Sequence, residues 1–500
     1  MKNNKEVKIP KRLSWPVYHA FHGLATNMLH FINEILMAFS ICFTRTAAFQ
    51  WFVIIATGLM LRADRLGVTS VIRDLGLRHN CYETMIHFFR SDSWNLDRIV
   101  QCWYDAVLKH APIHREKGRA VIIGDGVKQP KEGRSMPGVK KLFQESENSA
   151  KPQYIFGHMF GGIGVLACSV SKWFCIPLRF NMQDGLRETA EWEGSSVSLE
   201  SHVVQVVRNA LHAAQTFGEC LLVLDRYFLT VPVLSALNGG GKAVVHLVTK
   251  AKKSCVAYRH PTRRQGRGRP PVKGAAVKLM DLFDADRERF VKVEMTLYGK
   301  RESVRYYAIN LLWGKGLYQE LKFVLVEYAG TRSILVSTDL GMEAGDIIRL
   351  YCKRFQIECT FREFKQQTGG FCYRFWSRAM PKLNRFRRKT DPLPLEKVTD
   401  SHARTLIQKT VRATECFVQV SVIAMGIIQM VSLKWEGRIP KDELRYQRTP
   451  SKCAVSEATL MDFLRRNIFS LFALAPKLAI VRIIQRQQKE PAFYENAWAC

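Results

Sequence analysis

Tyr351–Lys365 reads YCKRFQIECTFREFK, and the rest of the chain is organised around it. Wound as a helix at about 100° per residue, it sets Tyr351 at about 0°, Arg354 at about −60°, Glu358 at about −20° and Lys365 at about −40°. One arc of about 60° then carries a phenol, two cations and a single carboxylate, while Glu363 points to about 120°, off that face. A core face would be apolar here, and a solvated face has no need of the tyrosine. The plain alternative is a salt-bridged surface helix. The helix is expected from about Glu343 to Gln367, stopped by Gly369-Gly370.

The spacing Tyr-x2-Arg-x3-Glu-x6-Lys, filled by Tyr351, Arg354, Glu358 and Lys365, resembles the signature of the IS-four-like bacterial insertion-sequence transposases. These belong to the DDE group and have an RNase H-like core. The resemblance implies an α/β protein in which such a core is interrupted by a β-rich insertion and flanked by helical N- and C-terminal regions. It also requires two aspartates elsewhere.

Composition agrees with a DNA-handling enzyme. The 500 residues are 47% hydrophobic and 24% charged, with 75 Lys+Arg against 44 Asp+Glu, a formal charge of +31. That is globular composition, long enough for several domains. The surplus suits a polyanion, nucleic acid before an anionic membrane. Thirteen cysteines include no Cys-x2-Cys pair and read as reduced thiols in a cytoplasmic, nucleoid-associated protein. The basic N-terminus is not followed by an apolar h-region, so a signal peptide is not expected. Phe31–Met60 is broken by Glu34, Arg45 and Gln50 into two helices, and Val418–Leu433 is short for a span. Both read as core helices, with no membrane.

Residues 1–115 read as a helical DNA-binding domain. Val68–Gly76 and Cys81–Ser91 form a candidate helix-turn-helix around Gly76, with Arg78, His79, Asn80 and Tyr82 opening the second helix. A generic helical hairpin is the alternative. Ser93 or Asn95 is placed to cap the next helix. Residues 116–240 read as the first part of the core. Ala120–Ile123 is a short buried strand leading into Gly124-Asp125-Gly126, which taken alone is a turn. A polar loop follows from Lys128 to about Lys151, then strands over Tyr154–Val170 and Lys172–Phe180. Residues 198–217 form an amphipathic helix. Leu221–Leu224 is a second buried strand ending in an acid, Asp225, and no turn residue follows it. Two buried strands that each deliver an aspartate make a metal-binding carboxylate pair.

Residues 241–338 read as the β-rich insertion. Its basic loop Arg263–Gly274 carries Arg267 and Arg269 in a Gly-Arg-Pro context similar to an AT-hook, or serves as a flexible phosphate-touching loop. Asp339, at a strand end before the helix, is a cap or turn residue. Residues 339–435 complete the core, and 436–500 form a helical C-terminal region that closes the core or makes a dimer interface.

In order, the chain offers a strand with Asp125, two strands, a helix, a strand with Asp225, the insertion, and a helix with Glu358. This is the order the resemblance predicts, and Asp225-Arg226 matches the family's second motif. The resemblance implies that Asp125, Asp225 and Glu358 are catalytic and hold two Mg²⁺ ions, which Mn²⁺ can replace. It implies that Tyr351, Arg354, Lys365 and Arg226 face DNA, and that an insertion-domain tryptophan stacks a flipped base. Trp313 is the candidate, with a strand-end rim aromatic as the alternative. The expected activity is cut-and-paste transposition of double-stranded DNA from terminal inverted repeats by a homodimer. Another RNase H-fold nuclease and a catalytically silent DNA-binding derivative are the alternatives.

Overall fold

A computed structural model describes residues 15–64, 67–144, 152–194, 200–241, 243–262, 270–386, 392–439 and 455–489. The N-terminal third is helical: α1 (Trp15–Ala38), α2 (Thr46–Leu61), α3 (Thr69–Asp74), α4 (Cys81–Arg90) and α5 (Leu96–His110). Next come β1 (Arg115–Glu116), β2 (Arg119–Pro130), β3 (Lys140–Phe143), β4 (Tyr154–Cys168) and β5 (Trp173–Met182). Helices α6 (Arg187–Glu193) and α7 (His202–Phe217) lead to β6 (Cys220–Val223), α8 (Val231–Asn238) and β7 (Val245–Lys250). The following segment holds β8 (Val256–Tyr258), β9 (Ala276–Lys278), α9 (Leu282–Ala285), β10 (Val291–Leu297), β11 (Lys300–Trp313), β12 (Gln319–Tyr328) and β13 (Thr331–Ser337). The chain then returns to helices α10 (Ala344–Cys352), α11 (Phe355–Gln366), α12 (Ser401–Lys434), α13 (Glu457–Leu474) and α14 (Ala479–Gln485).

The strands join one mixed sheet, 13-stranded among the described residues. Its heart runs β5-β4-β2-β6-β7. Strand β4 is antiparallel to both neighbours, while β2, β6 and β7 run parallel to one another. The parallel strands are near-continuous apolar runs because helices cover both faces. Strand β13 adds antiparallel to β7, and β12 and β11 follow, with β10 and β8 both on β11. The expected boundary at 241 therefore falls before β7, although β7 is bonded along β6 and continues the parallel set.

Three expectations are corrected. Gly124-Asp125-Gly126 is not a turn. Strand β2 passes straight through it to Pro130, paired with β4 from Ile122↔Val165 to Pro130↔Gly157. The glycine-rich partner strand explains this, since Asp125 lies directly opposite Gly162 and Gly126 opposite Gly161. Backbones can pair there without side-chain conflict. Strand β3 likewise occupies part of the expected polar loop. The Tyr351–Lys365 helix is two helices, broken at Lys353-Arg354. Amides of Lys353, Arg354, Gln356 and Ile357 each reach back three residues rather than four. The winding tightens to 3₁₀ at that point, where residues i and i+3 eclipse. Tyr351 and Arg354 are thereby aligned more closely than a straight α-helix would align them.

The apolar stretch of α12 would be long enough to cross a membrane, but it is wholly buried inside the protein. It packs on β5, α2 and α4. Gln419 Nε2 donates to Leu178 O at 3.0 Å, and Trp103 Nε1 donates to Pro177 O at 2.9 Å over Gly426, whose missing side chain admits the indole. The N-terminal helices share this core with the sheet. Gly76 (φ 64°) makes the turn after α3, and Val71, Leu75, Met85, Phe88 and Phe89 are buried. The start of α4 meets the chain's own C-terminal segment. Arg78 donates to Arg486 O and Gln487 Oε1, and Lys489 Nζ lies 3.0 Å from His79 Nε2. Asn95 caps α5 by accepting from Arg98 N. The described cysteines are all unpaired thiols.

A buried polar strap fastens the segment after α11 to β4. His158 Nε2 faces Pro137 O at 2.8 Å and Nδ1 faces the Tyr373 hydroxyl at 2.6 Å. Burial holds the imidazole down at about 3, so it is neutral. A carbonyl only accepts, so Nε2 carries the proton and Nδ1 accepts from Tyr373. Lys131 Nζ donates to Phe371 O and Tyr373 O at 2.6 and 3.1 Å. Tyr373→Phe strands Nδ1 in the interior and is expected to cost about 1–3 kcal/mol. Urea unfolding measures this, and an unchanged midpoint would refute the strap.

Candidate active site

Asp125 leaves the middle of β2 on the face covered by α11. Its Oδ1 accepts from the Gly126 amide at 2.7 Å. Asp225 follows the end of β6, and its carbonyl is pinned by Thr249 Oγ1 of β7 at 2.8 Å. Glu358 lies in the first turn of α11, where a carboxylate complements the helix dipole. Residues 125, 225 and 358, far apart in sequence, are thus delivered to one end of the parallel strands.

The placement of Glu358 depends on how closely α11 lies on the sheet. Its buried side carries Ile357, Thr360, Phe361 and Phe364. Phe361 and Phe364 meet Phe180 at ring-centre distances of 5.0 and 5.1 Å. Thr360 Oγ1 donates to Cys175 O at 2.7 Å. Gly162, opposite Asp125, leaves room for this layer. A Cβ there would stand 2.6 Å from Phe180 and 2.9 Å from Phe361.

Arg354 joins the acids. Its Nη1 donates to Asp125 Oδ2 at 3.1 Å and its Nη2 to Glu358 Oε1. The Tyr351 hydroxyl lies 3.4 Å from Asp225 Oδ1. Burial pushes the Asp125 carboxyl up to about 6, Arg354 and the Gly126 amide oppose this, and Asp225 and Glu358 add to it. Both other carboxylates are therefore within electrostatic reach of Asp125. Burial and Asp225 also raise the Tyr351 phenol, which stays protonated.

A cavity of about 300 Å³ adjoins Asp225, lined by Arg226, Lys250, Tyr298, Tyr351, Cys352, Arg354 and Phe355. Tyr298 and Phe355 are 68% and 51% exposed, so their ring faces are available at its mouth. Tyr298 (φ 51°) and Gly299 (φ 81°) form the two-residue turn between β10 and β11, the type I′ geometry of tight hairpins. These residues were not singled out from sequence. The Tyr-Gly pair between two strand patterns was the available signal for Tyr298. Lys250 and Phe355 had none, because only the parallel β6–β7 pairing and the broken helix bring them here.

The other named residues divide. Lys365 is half-buried in the last turn of α11. Glu363 is paired with Arg362, and Asp339 with Arg119 at the opposite end of β2 from Asp125, so neither competes for the acid role. Trp313 pairs with Gln319 across the β11–β12 hairpin and packs on the core beside Cys255. It does not line the cavity beside Asp225. Arg267 and Arg269 lie outside the described residues.

The donor set is oxygen only, without thiolate or imidazole, which suits hard divalent ions such as Mg²⁺ or Mn²⁺. As placed, no three acid, histidine or cysteine side chains among the described residues are gathered around a metal position. The Arg354 guanidinium bridges Asp125 and Glu358. For the three acids to hold such an ion, Arg354 would have to give up Asp125 and Glu358. Protons then compete with metal at Asp125. Mn²⁺ affinity is expected to hold above about pH 6 and fall as pH drops below it, since the raised carboxyl becomes protonated there. Calorimetric titration between pH 5 and 8 checks this, and a flat profile would remove Asp125 from the ligand set.

The structure is an α/β fold with neighbouring carboxylates at one end of its parallel strands. The model for the DDE superfamily endonuclease family matches residues 38–305, more than half of the chain, and the chain belongs to that family. The matched span contains Asp125 and Asp225 and ends before Glu358. Nucleases of this kind generally use divalent metals and act on DNA. No curated protein matches the chain. Among solved structures, the NurA nuclease from Sulfolobus solfataricus aligns at 10% identity and a TM-score of 0.22, over 56% of this chain and 86% of that one. A likeness that low carries no argument.

Proposed function

We propose that the protein is a cut-and-paste DNA transposase with an RNase H-like core and a β-rich insertion. The observation that carries this is that Asp125 and Glu358, from distant segments, share the Arg354 guanidinium, with Asp225 close enough to act on Asp125. Strand order supports it: a β5-β4-β2 antiparallel meander, then β6 and β7 added parallel to β2, then the acid-bearing helix after β8–β13. The Tyr351-Arg354-Glu358-Lys365 spacing supports transposition over simple hydrolysis, since a nuclease alone has no need of that cationic face.

In this reading Asp125, Asp225 and Glu358 would hold two Mg²⁺ ions, for which Mn²⁺ could substitute, and the bound metal would supply Lewis-acid stabilisation of charge at the phosphate oxygens. The chain's own groups do the positioning. Asp125 feels the charge of both other acids, and Tyr351 orients Asp225 through its hydroxyl. Arg354, Arg226, Lys250 and Lys365 hold phosphates near the transposon end, Arg354 by its two-pronged fork. Tyr298 or Phe355 replaces Trp313 as the surface on which an extrahelical base would stack. The substrate is double-stranded DNA bearing terminal inverted repeats, engaged by a homodimer.

The test is a plasmid carrying the gene with its flanking DNA, incubated with purified protein and Mg²⁺. Excision of the segment with joining to new DNA is expected. Cleavage without joining would reduce the protein to a nuclease. Binding without cleavage, in Mg²⁺ or Mn²⁺, would favour the silent DNA-binding alternative.

A further inference from the structure

We infer that Arg354 closes the acidic centre to metal in the free protein and opens it when DNA phosphate draws its guanidinium away, so that metal loading follows DNA binding. This rests on the reading of Asp125, Asp225 and Glu358 as metal ligands.

The geometry is that of an internal competitor. One guanidinium spans Asp125 and Glu358, and its side chain is only 17% exposed. The fork that matches two carboxylate oxygens matches a phosphate equally well. An arginine cannot leave by losing its proton. It can leave only by exchanging one anion for another, and a DNA backbone is the natural source. The destination adjoins the present position. Arg354 itself lines the cavity that holds Arg226 and Lys250, so a phosphate attracted by those two cations arrives within the same space. Arg354 also sits in the tightened turn between α10 and α11, outside the hydrogen-bonded body of either helix. Its side chain can swing without unwinding α11, whose Thr360, Phe361 and Phe364 stay fixed to the sheet.

Charge decides the direction of coupling. Asp125 and Glu358 share one guanidinium, so its departure leaves both without their cation, and a metal would restore the balance. DNA binding and metal binding each favour the open arrangement, and by linkage each strengthens the other. A protein without DNA is then spared metal-dependent chemistry at an unfilled site.

The test measures Mn²⁺ binding without DNA, by the electron paramagnetic resonance signal of free Mn²⁺. Wild type is compared with Arg354→Gln, Arg354→Lys and the double variant Arg354→Gln/Glu358→Gln. If the open arrangement is about a tenth or less of the free protein, Arg354→Gln should bind at least about ten-fold more tightly. Arg354→Lys, whose single ammonium cannot span both acids, should tighten binding by a smaller factor and serves alone if the glutamine variant fails to fold. The gain should vanish in the double variant. A blunt mixed-sequence duplex should tighten Mn²⁺ binding to wild type and leave Arg354→Gln unchanged. Equal or weaker Mn²⁺ binding by folded Arg354 variants overturns the inference, and so does a gain that survives in the double variant. No DNA turnover is read, so a protein that fails to transpose still returns a clear answer on Arg354.

Discussion

Glu358→Gln is expected to abolish DNA strand cleavage, by about 10³-fold or more, while leaving the protein folded. Asp125→Asn and Asp225→Asn should do the same. An amide keeps the shape of each side chain but removes the charge that binds a divalent ion. Loss of about 4 kcal/mol of transition-state stabilisation corresponds to a rate loss of about 10³. Stability should not follow activity. Burial raises the Asp125 carboxyl to about 6, so its ionised form weakens the folded state above that pH, and the penalty fades as pH falls through 6 and below. Asp125→Asn removes the penalty, so the variant should match or exceed wild type in stability at pH 8 and lose that advantage near pH 4. Plasmid nicking paired with urea unfolding at the two pH values separates the effects. Glu363→Gln is the control, because Glu363 is paired with Arg362 off the acidic face, and it should cleave normally. Normal cleavage by Glu358→Gln would remove Glu358 from the site.

Gly162→Val is expected to lose cleavage by about 10²-fold although it changes no polar group. The new side chain would press into Phe180 and Phe361, the rings on which α11 rests. Overpacking of this kind costs about 1–3 kcal/mol. Relief comes most readily by lifting α11, which carries Glu358 away from Asp125, and displacement by about 1 Å can cost about 10² in rate. Gly426→Val is the comparison. It collides with Trp103 in the long core helix and should lose similar stability, yet cleave normally per folded molecule. If both variants lose cleavage in proportion to stability, the packing of α11 has no special bearing on the acids.

The acid-bearing elements were legible at different levels. Asp225 and Glu358 follow from local patterns, a buried strand that ends in a carboxylate without a turn residue and a polar face on a helix. Asp125 does not, because Gly-Asp-Gly is a turn by local chemistry. It becomes a strand only because β4 supplies a glycine opposite it. The break at Lys353-Arg354 was also hidden, since the hydrophobic spacing of α10 and α11 is nearly continuous. Trp313 was attractive by residue type, and the hairpin that carries it packs beside Cys255 instead of the acids. Tyr298 occupies the cavity mouth through a turn whose position is set by the pairing of β10 and β11.

The sequence by itself determined the class of protein and the polycationic character that suits DNA, and it named three candidate acids. These depend on residue type and short spacing, which periodicity and charge express directly. Tertiary structure alone decided that β7 belongs with the parallel strands, that Asp339 sits at the far end of β2, and that Arg354 lies between Asp125 and Glu358. The physical reason is that these depend on which distant segments share a sheet and how closely one helix can lie on it. That closeness is set by missing side chains such as that of Gly162, whose effect appears only when a second surface arrives.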